Sequence, residues 1–205
     1  MCSLINISGG TISNISKKIS RGVGILTKLR YFMDTDLLKT IYYCLVYSHL
    51  TYGIHAWGSA CMTETVKLSV LLKKAVRIMT GNQYFQIYGE PAGPLPSAEP
   101  LYKELNILKL HDIFDLNVAK FIYSTLPGLS PEIFSNWFTY NRTNYFDLGT
   151  TEPNKTLFTR NSNLVKYGAR MIRVYGPTLW NRLPKEIQES SSVATFKIHL
   201  KKTSY

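Results

Sequence analysis

ISNISKKISRGVGILTKLRYFM, residues 12 to 33, sorts its side chains by type around a helix. Ile12, Ile15, Ile19, Gly22, Leu26, Leu29 and Met33 recur at three- and four-residue steps, the seam of a helix packed on one side. Lys17, Arg21 and Lys28 fall opposite that seam, within about 40° of one another. Gly24 lies in the same stripe, where a missing side chain leaves room for a phosphate to approach the backbone. Gly22 and Gly24 each weaken a helix by about 1 kcal/mol, enough to expect a kink between them. The stretch predicts a helix with one apolar and one cationic face.

Asp34-Thr-Asp follows as an N-cap for a second helix, from 36 to about 50. A metal-binding reading of that D-x-D is the weaker one, because acids at a helix start satisfy free amides and the dipole. Thr63 opens a third helix, with Glu64 in its first turn and Gly81 as its stop. Leu68, Leu71, Leu72, Ala75, Val76 and Met79 form its core face; Lys67, Lys73, Lys74 and Arg77 occupy the other side. Two of three consecutive helices thus set a basic stripe against an apolar one. The pattern predicts a small bundle with one cationic flank.

The second of these helices runs into YCLVYSHLTYGIHAWGSAC, residues 43 to 61, which crowds histidines, cysteines and aromatic rings together like a reaction centre. Geometry argues otherwise. His49 and His55 point about 120° apart on a helix, or sit roughly 20 Å apart on a strand. Neither lets them share a metal whose ligands must stand at about 2 Å. Cys44 and Cys61 have no C-x-x-C partner spacing. The apolar run 41 to 47 wraps nearly all round a helix and predicts a buried one.

The 205 residues suffice for one domain or two small ones, and 45% are hydrophobic, so a core is expected. No apolar run is long enough to cross a bilayer, and the start lacks the pattern of a signal peptide. Three scattered cysteines, Cys2, Cys44 and Cys61, fit a reducing compartment. Lys plus Arg total 24 against 13 Asp plus Glu, a formal +11. That balance favours a polyanionic partner: nucleic acid first, an acidic membrane surface second.

Residues 89–100, GEPAGPLPSAEP, read as a linker. Helical patterns follow at about 101–108 and 112–125, the latter with Phe114, Val118, Phe121 and Ile122 on one side. Ser130-Pro131-Glu132 reads as cap, first position and first-turn acid of a short helix. Residues 139–163 read as loop with a short strand at most. From Lys155 to Lys202 ten basic residues face only Glu186 and Glu189. ARMIRVYGPTLWNRLPKEI alternates like a strand and turns at Gly176-Pro177 into a short helix bearing Trp180, a core anchor rather than a stacking platform. A closing amphipathic helix places Val193, Phe196 and Leu200 inside.

Four stretches of this sequence resemble the carboxy-terminal part of reverse transcriptases from non-LTR retrotransposons, the jockey-like LINE elements. ISKKISRGVGILTKLRYFM looks like the helix that opens the thumb. LKTIYYCLVYSHLTYGIHAWG is similar to an apolar helix ending in Y-G-x-x-x-W-G. LLKKAVRIMTG looks like Q-K-x-A-x-R-I-x-T-G, with Leu72 where glutamine is common. YGPTLWNRLPKEIQESSSVATFKIHLKK is similar to the terminal G-P-x-x-W-N-x-L-P…F-K-x-x-L-K segment. The blocks stand in the family's order, from residue 12 to about 203.

The resemblance implies a thumb and carboxy-terminal segment without its palm. Polymerisation needs palm carboxylates holding two metals about 3.5–4 Å apart, and no Asp-Asp pair occurs here. The expected fold is mainly α: residues 1–11 an unrelated start, 12–88 a three-helix thumb-like bundle, 89–100 the linker, and 101–205 a helical segment with at most a small β element. The chain is expected to be no enzyme, with no catalytic or metal-binding residue, no cofactor and no small-molecule substrate. It is expected inside the cell, in nucleus or cytoplasm, away from membranes. Lys17, Arg21, Lys28, Lys73, Lys74 and Arg77 are the expected contacts to an RNA–DNA or DNA duplex, weak, salt-sensitive and indifferent to sequence. The alternative is an inert or interaction-only remnant whose partner is a full-length reverse transcriptase. A metalloenzyme built on His49, His55, His111 and the cysteines is the least favoured reading.

Overall fold

The seam of residues 12–33 becomes the buried side of α1 (Cys2–Leu29). Ile12, Ile15, Ile19, Val23 and Leu26 are buried, while Leu29 and Met33 are half-buried. The computed structural model describes residues 2–60, 62–88, 97–140, 156–159 and 171–203, and these are mainly helical. They fall into two compact units, Met1–Phe114 and Asp115–Tyr205. Most of the Pro/Gly-rich stretch expected as a linker, residues 89–96, lies outside the described residues. The helix starts ten residues earlier than its seam predicts and runs through Gly22 and Gly24 without the expected kink. Gly22 is there for closeness: an added methyl would meet the Leu45 carbonyl oxygen and Val46 Cγ2, each at 3.2 Å.

Asp34 caps the next helix as expected, its carboxylate accepting the Leu37 N–H at 3.2 Å. α2 (Thr35–Tyr42) passes into a π-helical turn, Tyr43–Tyr47, and then α3 (Ser48–Thr51). The buried residues are Leu38, Tyr42, Val46 and Leu50, four apart each time. In an α-helix a four-residue step drifts about 40° per repeat. The wider π turn, closed by Ser48 N–H to the Tyr43 carbonyl, takes up part of that drift and keeps the stripe facing inward. This corrects the expectation of an all-round buried helix. Cys44 is exposed, and Ile41, Tyr43, Leu45 and Tyr47 are half-buried.

Gly53, at φ +62°, turns the chain into α4 (Ile54–Trp57). α5 (Met62–Tyr88) buries Leu68, Leu72, Ala75, Val76, Ile78 and Met79, with Leu71 half-buried. Its helical path breaks at Gly81, at φ +57° and ψ −143°, where the sequence places a stop. α6 (Glu99–Glu104) and the start of α7 (Leu110–Thr125) add Leu101, Tyr102, Ile113 and Phe114 to the first unit's core.

In the second unit α7 buries Leu116, Val118, Ala119 and Ile122. The expected short helix after Ser130 is a single 3₁₀ turn, Glu132–Phe134, with Pro131 in the cap position. α8 (Ile172–Arg182) overturns the strand reading of residues 172–175. Ile172, Gly176 and Trp180 are buried at i, i+4 and i+8, a helical stripe that outweighs the local alternation. α9 (Lys185–Gln188) and α10 (Val193–Thr203) follow. In α10 Phe196 and Leu200 are buried, whereas Val193 is exposed. The only β pairing among the described residues is an isolated antiparallel bridge, Tyr140 to Leu157.

Candidate nucleic-acid interface

α1 carries Lys17, Lys18, Arg21 and Lys28, and residues 1–33 contain no aspartate or glutamate at all. All four cations lie on the outer side of the helix, with Lys17, Arg21 and Lys28 facing solvent. Among the described residues no hydrogen bond or ion pair engages Lys17, Arg21 or Lys28. From Lys17 to Lys28 the stripe is about 16 Å long, the rise of about five base pairs. Gly24 lies open beside it, with no heavy atom within 4 Å of the place a methyl would occupy. Lys18 is exposed too, but points about 100° round the helix from Lys17 and so flanks the stripe.

On α5, Lys67, Lys73 and Lys74 are exposed, but Arg77 is half-buried. The Arg77 charge reaches the buried Tyr102: burial pushes that phenol well up, and Arg77 pulls it the other way. Arg77 therefore does not stand clear of the core, as its position in the sequence predicts. Lys73 is also partly answered. The Glu99 carboxyl is held below its ordinary value first by its bond to Lys109, with Lys103 and Lys73 adding to the effect. The same outward meridian of α5 carries Val66 and Val70, 51% and 57% exposed. This face is mixed rather than purely cationic.

The two stripes lie on separate helices. Each lies about half a turn from its own helix's seam, and α1 and α5 make the most extensive pairing in the unit. Both seams turn into the shared core. The structure thus groups Lys17, Arg21 and Lys28 along one helix and Lys73 and Lys74 along another.

The other distinctive motifs serve packing. In Y-G-x-x-x-W-G, the Trp57 indole N–H donates to the Tyr52 carbonyl at 3.1 Å. A methyl at Gly58 would run into the Phe114 ring. In the terminal motif, a methyl at Gly176 would meet Ile122 Cδ1 at 2.9 Å. Trp180 is buried and stacks on Phe196 with ring centroids 6.0 Å apart. Asn181 binds both backbone polar groups of Leu157, at 2.8 and 2.9 Å. The Gln188 amide donates to the Trp180 and Leu183 carbonyls, each at 2.9 Å, and so closes the end of α8.

Among the described residues no group of three or more His, Cys, Asp or Glu is arranged to hold a metal ion. His49 is half-buried, and His55 and His111 are exposed. No helix among the described residues is long and apolar enough to cross a membrane. The carboxy-terminal cations Lys155, Arg160, Lys166 and Arg170 lie outside the described residues. Comparison with protein-family models, curated proteins and solved structures finds no match.

Proposed function

We propose that this chain is a non-catalytic piece of an RNA-directed DNA polymerase of the non-LTR retrotransposon kind. In this reading its first unit holds a nucleic-acid backbone through the solvent face of α1. One observation carries it: a 28-residue helix with no acidic side chain displays Lys17, Arg21 and Lys28 along one exposed line, unanswered among the described residues. Such a line attracts phosphates wherever they lie and reads no bases, so affinity is modest, salt-dependent and indifferent to sequence. Lys73 and Lys74, on α5, form a second, weaker contact. The protein works inside the cell, in nucleus or cytoplasm. The polymerase parentage rests on the four sequence stretches and their order.

The test is a fluorescence-anisotropy titration of the whole chain with labelled RNA–DNA hybrid and DNA duplexes of two unrelated sequences at low salt. The reading expects saturable binding that is equal for the two sequences. No binding at about 20 mM salt, where phosphate contacts are strongest, overturns it. Exposed Val66 and Val70 favour the interaction-only alternative, a surface for a polymerase or a second copy. Light scattering separates the two, since binding in that case requires a protein partner or an assembly larger than the monomer.

A further inference from the structure

We infer that the cationic line of α1 ends in a base-stacking platform, Tyr31 and Phe32, so that the preferred ligand is a single strand or the single-stranded end of a duplex. The inference deepens the nucleic-acid reading and rests on it. Phe32 is 85% exposed and Tyr31 69% exposed, in consecutive positions just beyond the last turn of α1. Two rings this open at consecutive positions present a continuous aromatic surface beside the cationic line. Their backbone is fixed: Arg30 N–H bonds to the Leu26 carbonyl at 3.0 Å, and Phe32 and Met33 N–H to the Leu29 carbonyl at 2.9 and 3.1 Å. These bonds close a turn directly after α1, so Phe32 follows Lys28 by four residues at the end of the cationic line.

The chemistry around the rings favours a nucleobase. The Arg30 guanidinium lies 4.5 Å from the Tyr31 ring centroid and donates to the Tyr31 hydroxyl at 2.5 Å, holding that ring in place. Among the described residues Phe32 has no such neighbour, and it is exposed. Lys28 stands four residues back, about 6 Å along the axis. A phosphate on Lys28 and a base on Phe32 are therefore compatible with one strand following the helix. Aromatic stacking accepts any base, in keeping with a surface that reads no sequence. Asp34 and Asp36 stand just beyond, at the amino end of α2. They weaken phosphate attraction at the turn itself, which assigns charge to the helix and stacking to the rings. Inside a paired duplex both faces of every base are already stacked, so the platform works on unpaired bases.

The test compares wild-type, Phe32→Ala and Phe32→Trp chains binding a single-stranded DNA of about 12 nucleotides, within the span such surfaces cover. An abasic strand of equal length, a blunt duplex, and vesicles containing anionic lipid complete the set. Phe32→Ala is expected to lose about 5- to 150-fold affinity for the single strand, the range base stacking supplies. It should leave the abasic strand and blunt duplex unchanged. Phe32→Trp is expected to keep wild-type affinity, with the added tryptophan emission quenched on binding. Unchanged single-strand affinity in Phe32→Ala, or an equal loss for the abasic strand, overturns the stacking platform while leaving backbone binding intact. Vesicle binding that depends on Phe32 overturns it in favour of a membrane contact. No binding of any nucleic acid removes the parent reading as well.

Discussion

Asn181 grips Leu157 across 24 positions of chain: the Leu157 N–H donates to Asn181 Oδ1 at 2.8 Å, and Asn181 Nδ2 donates to the Leu157 carbonyl at 2.9 Å. The amide imitates a β partner for a residue that is itself buried and lies in the isolated bridge with Tyr140. Asn181→Ala removes the partner of two backbone groups in a part-buried site. It is expected to cost about 2 kcal/mol, the sum of two ordinary hydrogen bonds. Urea unfolding checks this through the shift of midpoint at constant slope. Asn181→Asp keeps one acceptor but sets a carboxylate against the Leu157 carbonyl, and should be no better than the alanine.

The glycines divide by what a methyl would meet. Gly24 lies mid-helix and open to solvent, so Gly24→Ala is expected to stabilise the chain by about 0.5–1 kcal/mol. Gly58→Ala drives a methyl into the Phe114 ring and is expected to destabilise by about 1–3 kcal/mol. Thermal melts of the two variants should move in opposite directions. If backbone approach at Gly24 matters for a phosphate, Gly24→Ala will also weaken binding while raising the melting temperature.

Lys120 gives a dependence on pH. Burial, and secondarily the charge of Lys197, hold its folded-state pKa below the ordinary 10.5. The folded state then binds the proton less readily than the unfolded chain does. The resulting penalty is full below the folded value and is relieved as pH rises through it toward 10.5. Lys120→Met is expected to be more stable than wild type at neutral pH, with the gap narrowing as the pH approaches that range. Paired urea titrations across pH measure the gap, and other groups that titrate cancel in the difference.

Where the physics was local, the sequence was readable. The α1 seam, the Asp34 cap, the Gly81 break and the anchoring of Trp180 each follow from spacing or from one residue's backbone preference. What escaped was set at long range. The π turn at Tyr43–Tyr47 depends on which side of the run meets α1, and an all-apolar stretch does not reveal that. Leu157 is fixed by a side chain 24 residues later. Ile172 to Tyr175 alternate like a strand, but Gly176 and Trp180 complete a helical stripe that a short window does not contain. Arg77 lies opposite the seam on a helical wheel, yet Tyr102 from a later segment comes close to it.

The most direct measurement is the salt slope of duplex binding for wild type and for Lys17→Ala/Arg21→Ala/Lys28→Ala, with folding checked by circular dichroism. Three phosphate contacts predict that log K falls with log salt at a slope of about −2.7, or about 40-fold between roughly 50 and 200 mM. The variant is expected to stay folded, because the three side chains are exposed, and to lose most of both affinity and slope. A variant that binds as wild type does, with the same slope, contradicts the claim that α1 holds the backbone.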